Sequence, residues 1–221
     1  MIKDRWFALW FRLVSLLLVV SGFLAMSGVF SGGGLRVRTL AYYTMQSNVL
    51  AIVLFSVLFV RTATALRNSR TGGAGFFSRF EMVCVIDIML TFIVFWVLLA
   101  PTIFTMAEDY RMWSFENLAV HAITPLLCLV DYILFSEPRH LKYRDVFFVV
   151  IFPLAYLLGT SLAGLMGYVY TVSLSDGLPV RFPYFFYDFD RIGLMSLAYI
   201  GAMLVFFLIV GHVFYTVDRK R

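Results

Sequence analysis

The stretch AYYTMQSNVLAIVLFSVLFV, residues 41–60, decides the class of fold to which this chain belongs. Its second half is almost entirely apolar, and about 20 residues of helix span the roughly 30 Å hydrocarbon core of a bilayer. Its first half contains Thr44, Ser47 and Asn48, which share one face of a helix because they stand at positions i, i+3 and i+4. The stretch therefore predicts a membrane-spanning helix with a polar patch close to one end.

The whole chain has the composition of a membrane protein. Hydrophobic residues make up 62% of the 221 residues and charged residues only 14%, with a mean hydropathy of +0.89. A soluble domain would lack the polar residues needed to cover its surface. We expect an all-α integral membrane protein in which residues 1–221 form a single domain. Its six predicted spans lie at about residues 7–30, 41–60, 82–104, 118–135, 146–168 and 192–215.

Basic residues predict the orientation of these spans. Of the 18 Lys and Arg residues, thirteen fall at the end of the bundle that holds both termini. The five at the other end are Arg36, Arg38, Arg111, Arg181 and Arg191. Because cytoplasmic loops are enriched in Lys and Arg, we expect both termini in the cytoplasm and Thr44 near the outer face. The net charge of +5 then reflects topology, and it requires no nucleic-acid partner.

The first span also needs comparison with a signal peptide. Lys3 and Arg5 precede an apolar run, and small residues follow it, as they do in a cleaved leader. We expect the segment to be retained as a span.

A histidine stands in the fourth span at the depth that Thr44 occupies in the second. His121 lies about one turn inside that span. Pro125 lacks the N–H that would bond the His121 carbonyl, so the helix should bend there and leave room for a ligand. Asn117 stands one turn before His121, where it could orient the imidazole ring or simply cap the helix start.

A hydroxyl beside an imidazole suggests covalent catalysis, because a neutral histidine can take the proton of a hydroxyl nucleophile. Spacing alone does not choose between Thr44 and Ser47. The oxyanion that such a reaction forms needs hydrogen-bond donors, for which the candidates are Tyr43, Gln46, Ser47 and Asn48. Two alternatives remain: the polar face could bind a lipid head group without reacting, or it could only join helices in an assembly or regulatory subunit.

Metal and nucleotide chemistry are not expected. The chain contains no HExxH motif, no pair of carboxylates at metal-binding spacing near Thr44 and no glycine-rich phosphate loop. We therefore expect neither a metal nor a cofactor.

Charged residues inside the spans predict a structural clamp. Arg12 can pair with Asp87 or with Asp131, because an unpaired charge in hydrocarbon is costly. The depth of all three residues places them toward the cytoplasmic side, so we expect them to lie away from Thr44.

The last outer loop, residues 171–191, is too aromatic for a segment that merely crosses water. Its sequence, TVSLSDGLPVRFPYFFYDFDR, favours a position on or in the membrane interface, where it could roof a cavity between the helices. Asp188 and Asp190 stand where this loop joins the last span. They could support the site, or they could cap a helix and form a local ion pair.

Three motifs carry a resemblance to a known family. YYTMQSNVL at 42–50, NLAVHAITPLLCLVDYILF at 117–135 and PYFFYDFDRIG at 183–193 resemble the androgen-induced and androgen-dependent TFPI-regulating proteins and their bacterial relatives. With the number of spans, these motifs cover about a quarter of the chain.

The resemblance implies a six-span intramembrane threonine hydrolase that cleaves fatty acid esters of hydroxy fatty acids. It implies that Thr44 is the nucleophile and His121 the base. It further implies membrane lipids as partners, a lipid ester as substrate and the bacterial cytoplasmic membrane as the location.

Overall fold

The computed structural model describes residues 2–31, 34–68, 78–101, 111–139, 141–173 and 176–220. Within these ranges lie six helices that are long and apolar enough to cross a membrane, which confirms the predicted all-α, six-span fold. They are α1 (Arg5–Met26), α2 (Tyr43–Arg67), α3 (Arg79–Leu99), α4 (Phe115–Phe135), α5 (Tyr143–Leu165) and α6 (Met195–Lys220). The protein is therefore an integral membrane protein.

The helix ends differ from the predicted spans by a few residues. Helix α1 begins early because the Asp4 side chain accepts hydrogen bonds from the first N–H groups of the helix. Helix α6 begins late because Gly193 adopts a positive φ of 54°, which interrupts the chain before Met195. Residues 102–104, the predicted end of the third span, lie outside the described residues.

Both termini lie at one end of the bundle, which we call the terminal end. The Ile2 N–H donates to the Leu134 carbonyl at 2.7 Å, so the N-terminus touches the end of α4. The Arg139 N–H donates to the Asp218 carbonyl at 3.1 Å, so the end of α6 lies beside the turn after α4. The start of α2 is at the opposite end, which we call the site end.

Helices α1 to α4 share the main core. Because lipid tails are as apolar as the side chains, membrane helices associate through close contact and buried polar groups rather than through hydrophobicity alone. Gly22 of α1 shows such a contact, because a Cβ built on it would lie 2.4 Å from the Ala119 Cβ of α4. The core residues are Val19, Ala51, Leu54, Phe55, Leu58, Cys84, Val85, Ile88, Cys128 and Tyr132.

A buried ion pair joins α1 to α4. The Arg12 guanidinium donates to both carboxylate oxygens of Asp131, at 2.8 and 3.0 Å, and also to the Thr62 hydroxyl at 2.6 Å. Of the two expected partners, the structure thus selects Asp131. Asp87 instead accepts from the Tyr43 hydroxyl at 3.2 Å. The long Tyr43 side chain therefore reaches Asp87 from the start of α2.

Helices α5 and α6 pack against each other mainly at the terminal end. Gly211 of α6 lies against Val146, where an added Cβ would be 3.0 Å from Val146 Cγ1. The contacts between the two helices concentrate on the first turns of α5, Tyr143–Val150, which are a 3-10 helix. Toward the site end the helices stand apart and enclose a cavity. We call the space between them the α5–α6 cleft.

The connection from α5 to α6 folds over the site end. It contains a two-stranded hairpin, Thr171–Val172 with Pro179–Val180, followed by the 3-10 turn Phe185–Tyr187 and the single helical turn Phe189–Ile192. We call residues 182–187 the lid. Gly164 allows the backbone of Arg181 to pass close to α5, since a Cβ at Gly164 would lie 2.5 Å from the Arg181 carbonyl oxygen.

Candidate active site

Thr44 lies in the first turn of α2, at the site end. The helix begins here because Tyr42 is extended, with φ −88° and ψ 143°. The Thr44 Oγ1 atom lies 3.4 Å from the Nε2 atom of His121 in α4. The structure thus brings together the two residues that the sequence singled out, at a distance slightly longer than a tight hydrogen bond.

His121 occupies a widened turn of α4. Residues Ala119–Ile123 form a π-helical turn, in which the Thr124 N–H bonds the Ala119 carbonyl five residues back. Pro125 offers no N–H to the His121 carbonyl, and the Trp96 indole N–H of α3 donates to that oxygen at 3.1 Å. The predicted distortion at His121 is present as a π-turn, a feature found often at functional sites.

The surroundings of His121 select its tautomer. Its Nδ1 atom lies 3.1 Å from the Asn117 carbonyl oxygen, which can only accept a hydrogen bond. The Nδ1 atom must therefore carry the proton, and the lone pair of Nε2 faces Thr44 in the neutral ring. Asn117, which the sequence offered either as the group that orients the ring or as a helix cap, contacts the ring through its carbonyl, whereas its side-chain amide donates to the Met112 carbonyl at 2.7 Å. The orienting group is the main chain.

Two residues of α3 that the sequence did not single out, Phe95 and Trp96, contact His121. Phe95 stacks on the His121 ring, with ring centroids 3.7 Å apart and planes 20° apart. Phe95 and Trp96 belong to a second π-turn, Phe95–Leu99. The sequence could not identify this aromatic pair as part of the site, because it lies inside an apolar run. Its contact with His121 depends on how α3 is rotated toward α4.

The remaining polar residues of α2 form hydrogen bonds to α3 and α4. The Asn48 amide donates to the Thr44 carbonyl at 2.8 Å and to the Val120 carbonyl of α4 at 3.1 Å. The Ser47 hydroxyl lies 3.0 Å from the Thr44 carbonyl and 2.8 Å from the Thr91 hydroxyl of α3. Both residues position the start of α2 against its neighbours.

These contacts also engage the side chains that are candidate oxyanion donors. Both hydrogens of the Asn48 amide are donated to carbonyls, and Ser47 has a single hydrogen for two neighbouring oxygens. Gln46 donates to the Leu40 carbonyl at 3.1 Å, and Tyr43 donates to Asp87. In this structure each of the four side chains thus has a hydrogen-bond partner within the protein.

A cavity of about 680 Å³, including the space at its mouth, lies beside Thr44. Its walls come from α2, α3, α5, α6 and the lid, which confirms that the aromatic loop roofs a cavity. Thr44 lines it, whereas Ser47 is not among the described residues that do so. His121 stands behind Thr44 and is only 4% exposed. The apolar wall is formed by Leu90, Val94, Phe95, Leu99, Pro153, Leu157, Ile200, Met203, Leu204 and Phe207.

Tyr184 brings a lid hydroxyl close to Thr44. Tyr184 and Thr44 line the same cavity, and the Tyr184 hydroxyl lies near the Thr44 hydroxyl and the backbone N–H groups of Tyr43 and Thr44. Burial raises the pKa of Tyr184 to about 12, and these neighbouring donors limit the rise. The phenol is therefore protonated at neutral pH and can donate a hydrogen bond.

Asp188 and Asp190 serve the lid's connection to α6. Asp188 accepts from the Asp190 N–H at 3.1 Å and so caps the helical turn that follows. Asp190 pairs with Arg181 at 2.5 and 2.7 Å, and this hydrogen-bonded guanidinium holds its pKa below the usual value. Neither aspartate is among the described residues that line the cavity. Their contacts are the capping and ion-pair contacts that the sequence left open as an alternative.

Comparison with known proteins adds no relative. No family model matches the chain, and no curated protein or solved structure matches it.

Proposed function

We propose that this protein is an intramembrane hydrolase of lipid esters in which Thr44 is the nucleophile and His121 the general base. The observation that carries the proposal is the alignment of Thr44 Oγ1 with the unprotonated Nε2 of His121, 3.4 Å away, at the wall of an apolar cavity. A hydroxyl, a base with a fixed tautomer and a group that orients the base are the parts that nucleophilic catalysis requires.

The reaction would proceed through an acyl-enzyme. Thr44 Oγ1 attacks the ester carbonyl carbon as His121 Nε2 takes its proton, and the carbonyl electron pair moves onto oxygen. The intermediate collapses, the bond to the alcohol oxygen breaks, and the imidazolium returns the proton to that oxygen. Water then attacks the acyl-threonine, again with His121 as base, and releases the fatty acid and the free hydroxyl.

The cavity favours a substrate with a long acyl chain. Its wall is almost wholly apolar, and Thr44 and the lid tyrosines contribute polar groups at the site end. Fatty acid esters of hydroxy fatty acids, which the resemblance implies, or similar acyl esters have this combination of one ester group and long hydrocarbon. Under this proposal the site needs no cofactor.

We also propose that both termini are cytoplasmic and that the site end faces the outside of the bacterial cytoplasmic membrane. The distribution of Lys and Arg supports this orientation. Fusions of an alkaline phosphatase and a fluorescent reporter to the C-terminus test it, because only the fluorescent reporter should be active in the cytoplasm.

Activity of the purified protein on a panel of long-chain esters tests the hydrolase. We expect Thr44→Ala and His121→Ala each to lower kcat by about 1,000-fold or more, because each removes a member of one catalytic unit. Ser47→Ala is the matched control, since it removes a hydroxyl one turn away on the same face, and it should keep most of the activity. Loss of activity in Ser47→Ala with retention in Thr44→Ala would reassign the nucleophile.

The cavity alone also suits a second function, which is non-catalytic lipid binding or transport. A protein of that kind would bind the same esters without turnover, and Thr44→Ala would change neither the bound lipid nor its amount. Extraction and mass analysis of the lipid retained by each variant separates this alternative from the hydrolase.

A further inference from the structure

We propose that Tyr184 is a further catalytic residue, whose hydroxyl donates a hydrogen bond to the carbonyl oxygen of the bound ester and stabilises the oxyanion. This inference rests on the proposed function. Hydrolysis through Thr44 needs such a donor, and the donors on α2 that the sequence offered are engaged with other acceptors.

The hydroxyl of Tyr184 lies beside the start of α2. The first N–H groups of a helix lack partners within the helix, and those of Tyr43 and Thr44 are close to the phenol oxygen. The phenol has a single hydrogen to donate. The neighbouring acceptor is Thr44 Oγ1, whose own hydrogen can in turn point to His121 Nε2.

The ring of Tyr184 is fixed by other aromatic side chains. Phe186 stacks on it, with centroids 5.2 Å apart and planes 7° apart. Tyr42 and Tyr156 contact it from two further sides, with centroids at 6.2 and 6.4 Å. A donor fixed in this way before the substrate binds stabilises charge without reorganisation during the reaction.

A simple rotation of the hydroxyl would prepare the attack. When an ester carbonyl enters, the Tyr184 hydrogen points to the carbonyl oxygen, and a lone pair of Thr44 Oγ1 is available for the attack. The Oγ1–carbon bond forms, the Thr44 proton moves to His121 Nε2, and the carbonyl electron pair becomes an oxyanion that accepts from Tyr184. The phenol keeps its own proton throughout, so the step balances without another reactant.

The other tyrosines of the cavity are differently engaged. The Tyr187 hydroxyl lies 3.0 Å from the Thr160 hydroxyl, and the Tyr156 hydroxyl donates to the Ala41 carbonyl at 3.0 Å. The Tyr43 hydroxyl donates to Asp87 at 3.2 Å. Of the described tyrosines that line the cavity, Tyr184 is therefore the one we assign to Thr44.

Replacement of the hydroxyl alone tests the assignment. Tyr184→Phe keeps the ring, and we expect kcat for ester hydrolysis to fall by about 100-fold with little change in KM, as when an oxyanion donor is removed. Tyr42→Phe is the matched control, because it removes a hydroxyl from the adjoining ring, which does not line the cavity. An unchanged kcat in Tyr184→Phe beside an inactive Thr44→Ala would overturn the inference and leave the hydrolase standing.

A spectroscopic readout is independent of turnover. In the Thr44→Ala variant, a bound long-chain ester with an isotope-labelled carbonyl should show its carbonyl stretch at lower frequency than in detergent alone. Adding Tyr184→Phe should remove this shift, and adding Tyr42→Phe should leave it. An equal shift in both double variants overturns the inference, and an ester that does not bind at all overturns the proposed function together with it.

Discussion

The contact of Gly22 with Ala119 predicts that one added methyl group will lower the proposed esterase activity from a distance. In Gly22→Ala the new Cβ would lie 2.4 Å from the Ala119 Cβ. Carbon atoms in contact prefer about 3.5–4.0 Å, so α1 and α4 must separate locally by about 1 Å or more. Ala119 stands two residues before His121 in the same π-turn. Since an error of about 1 Å in a catalytic group can cost about 100-fold in rate, we expect kcat to fall by that order.

The assay compares ester hydrolysis and thermal unfolding in detergent for four proteins. Gly22→Ala should also lose about 1–3 kcal/mol of stability, as overpacked sites do. The double variant Gly22→Ala/Ala119→Gly moves the methyl group to the other helix and should recover most of kcat. Gly201→Ala is the control, because nothing lies within 4 Å of its added Cβ. A Gly22→Ala protein with wild-type kcat and stability, or a double variant as slow as the single one, would refute the reasoning.

Three further predictions concern the ion pair, the lid and the indole. Asp131→Ala leaves the fully buried Arg12 without its carboxylate and should cost about 3–5 kcal/mol, measured by thermal unfolding, while Arg12→Met/Asp131→Leu should recover much of this loss. A cost below about 1 kcal/mol would contradict this role. Because the pKa of Tyr184 is raised to about 12, its neutral, donating form persists at alkaline pH. The pH–rate profile of the wild type should therefore show no loss of activity from this group up to about pH 10. Above that pH the activity should decline in the wild type and not in Tyr184→Phe. Trp96→Phe removes the donor to the His121 carbonyl and should lower kcat about 10-fold at unchanged KM. Trp113→Phe changes an exposed ring and should leave kcat unchanged. Equal kcat values for the two variants would contradict the role of the indole.

The number and positions of the spans could be predicted because hydropathy over about 20 residues is a local property. The exact helix ends could not, since they depend on single caps such as Asp4 and on the backbone of Gly193. The pairing of Thr44 with His121 could also be anticipated, because equal depth along two helices follows from counting residues. The sequence could not predict whether the side chains of Asp188 and Asp190 reach the site, because distance along the sequence does not determine how a loop folds back.

The finer parts of the site depend on the rotation of each helix about its axis. The stacking of Phe95 on His121 and the bond from Trp96 arise from two π-turns, each of which adds a residue to a turn and changes the face that follows. Tyr184 reaches Thr44 only because the lid returns over α2. A pattern of polar and apolar residues contains neither piece of information.

The α5–α6 cleft determines how rates should be expressed. Leu157 and Met203 line the cavity from opposite helices and are partly exposed, and α6 is the least buried of the six spans. Under the proposed function, an ester dissolved in the leaflet would enter the cavity through this cleft without crossing bulk water. The effective concentration of the ester is then its mole fraction in the membrane. Dilution of a fixed amount of ester with inert phospholipid should then slow turnover, even when the volume of buffer stays constant.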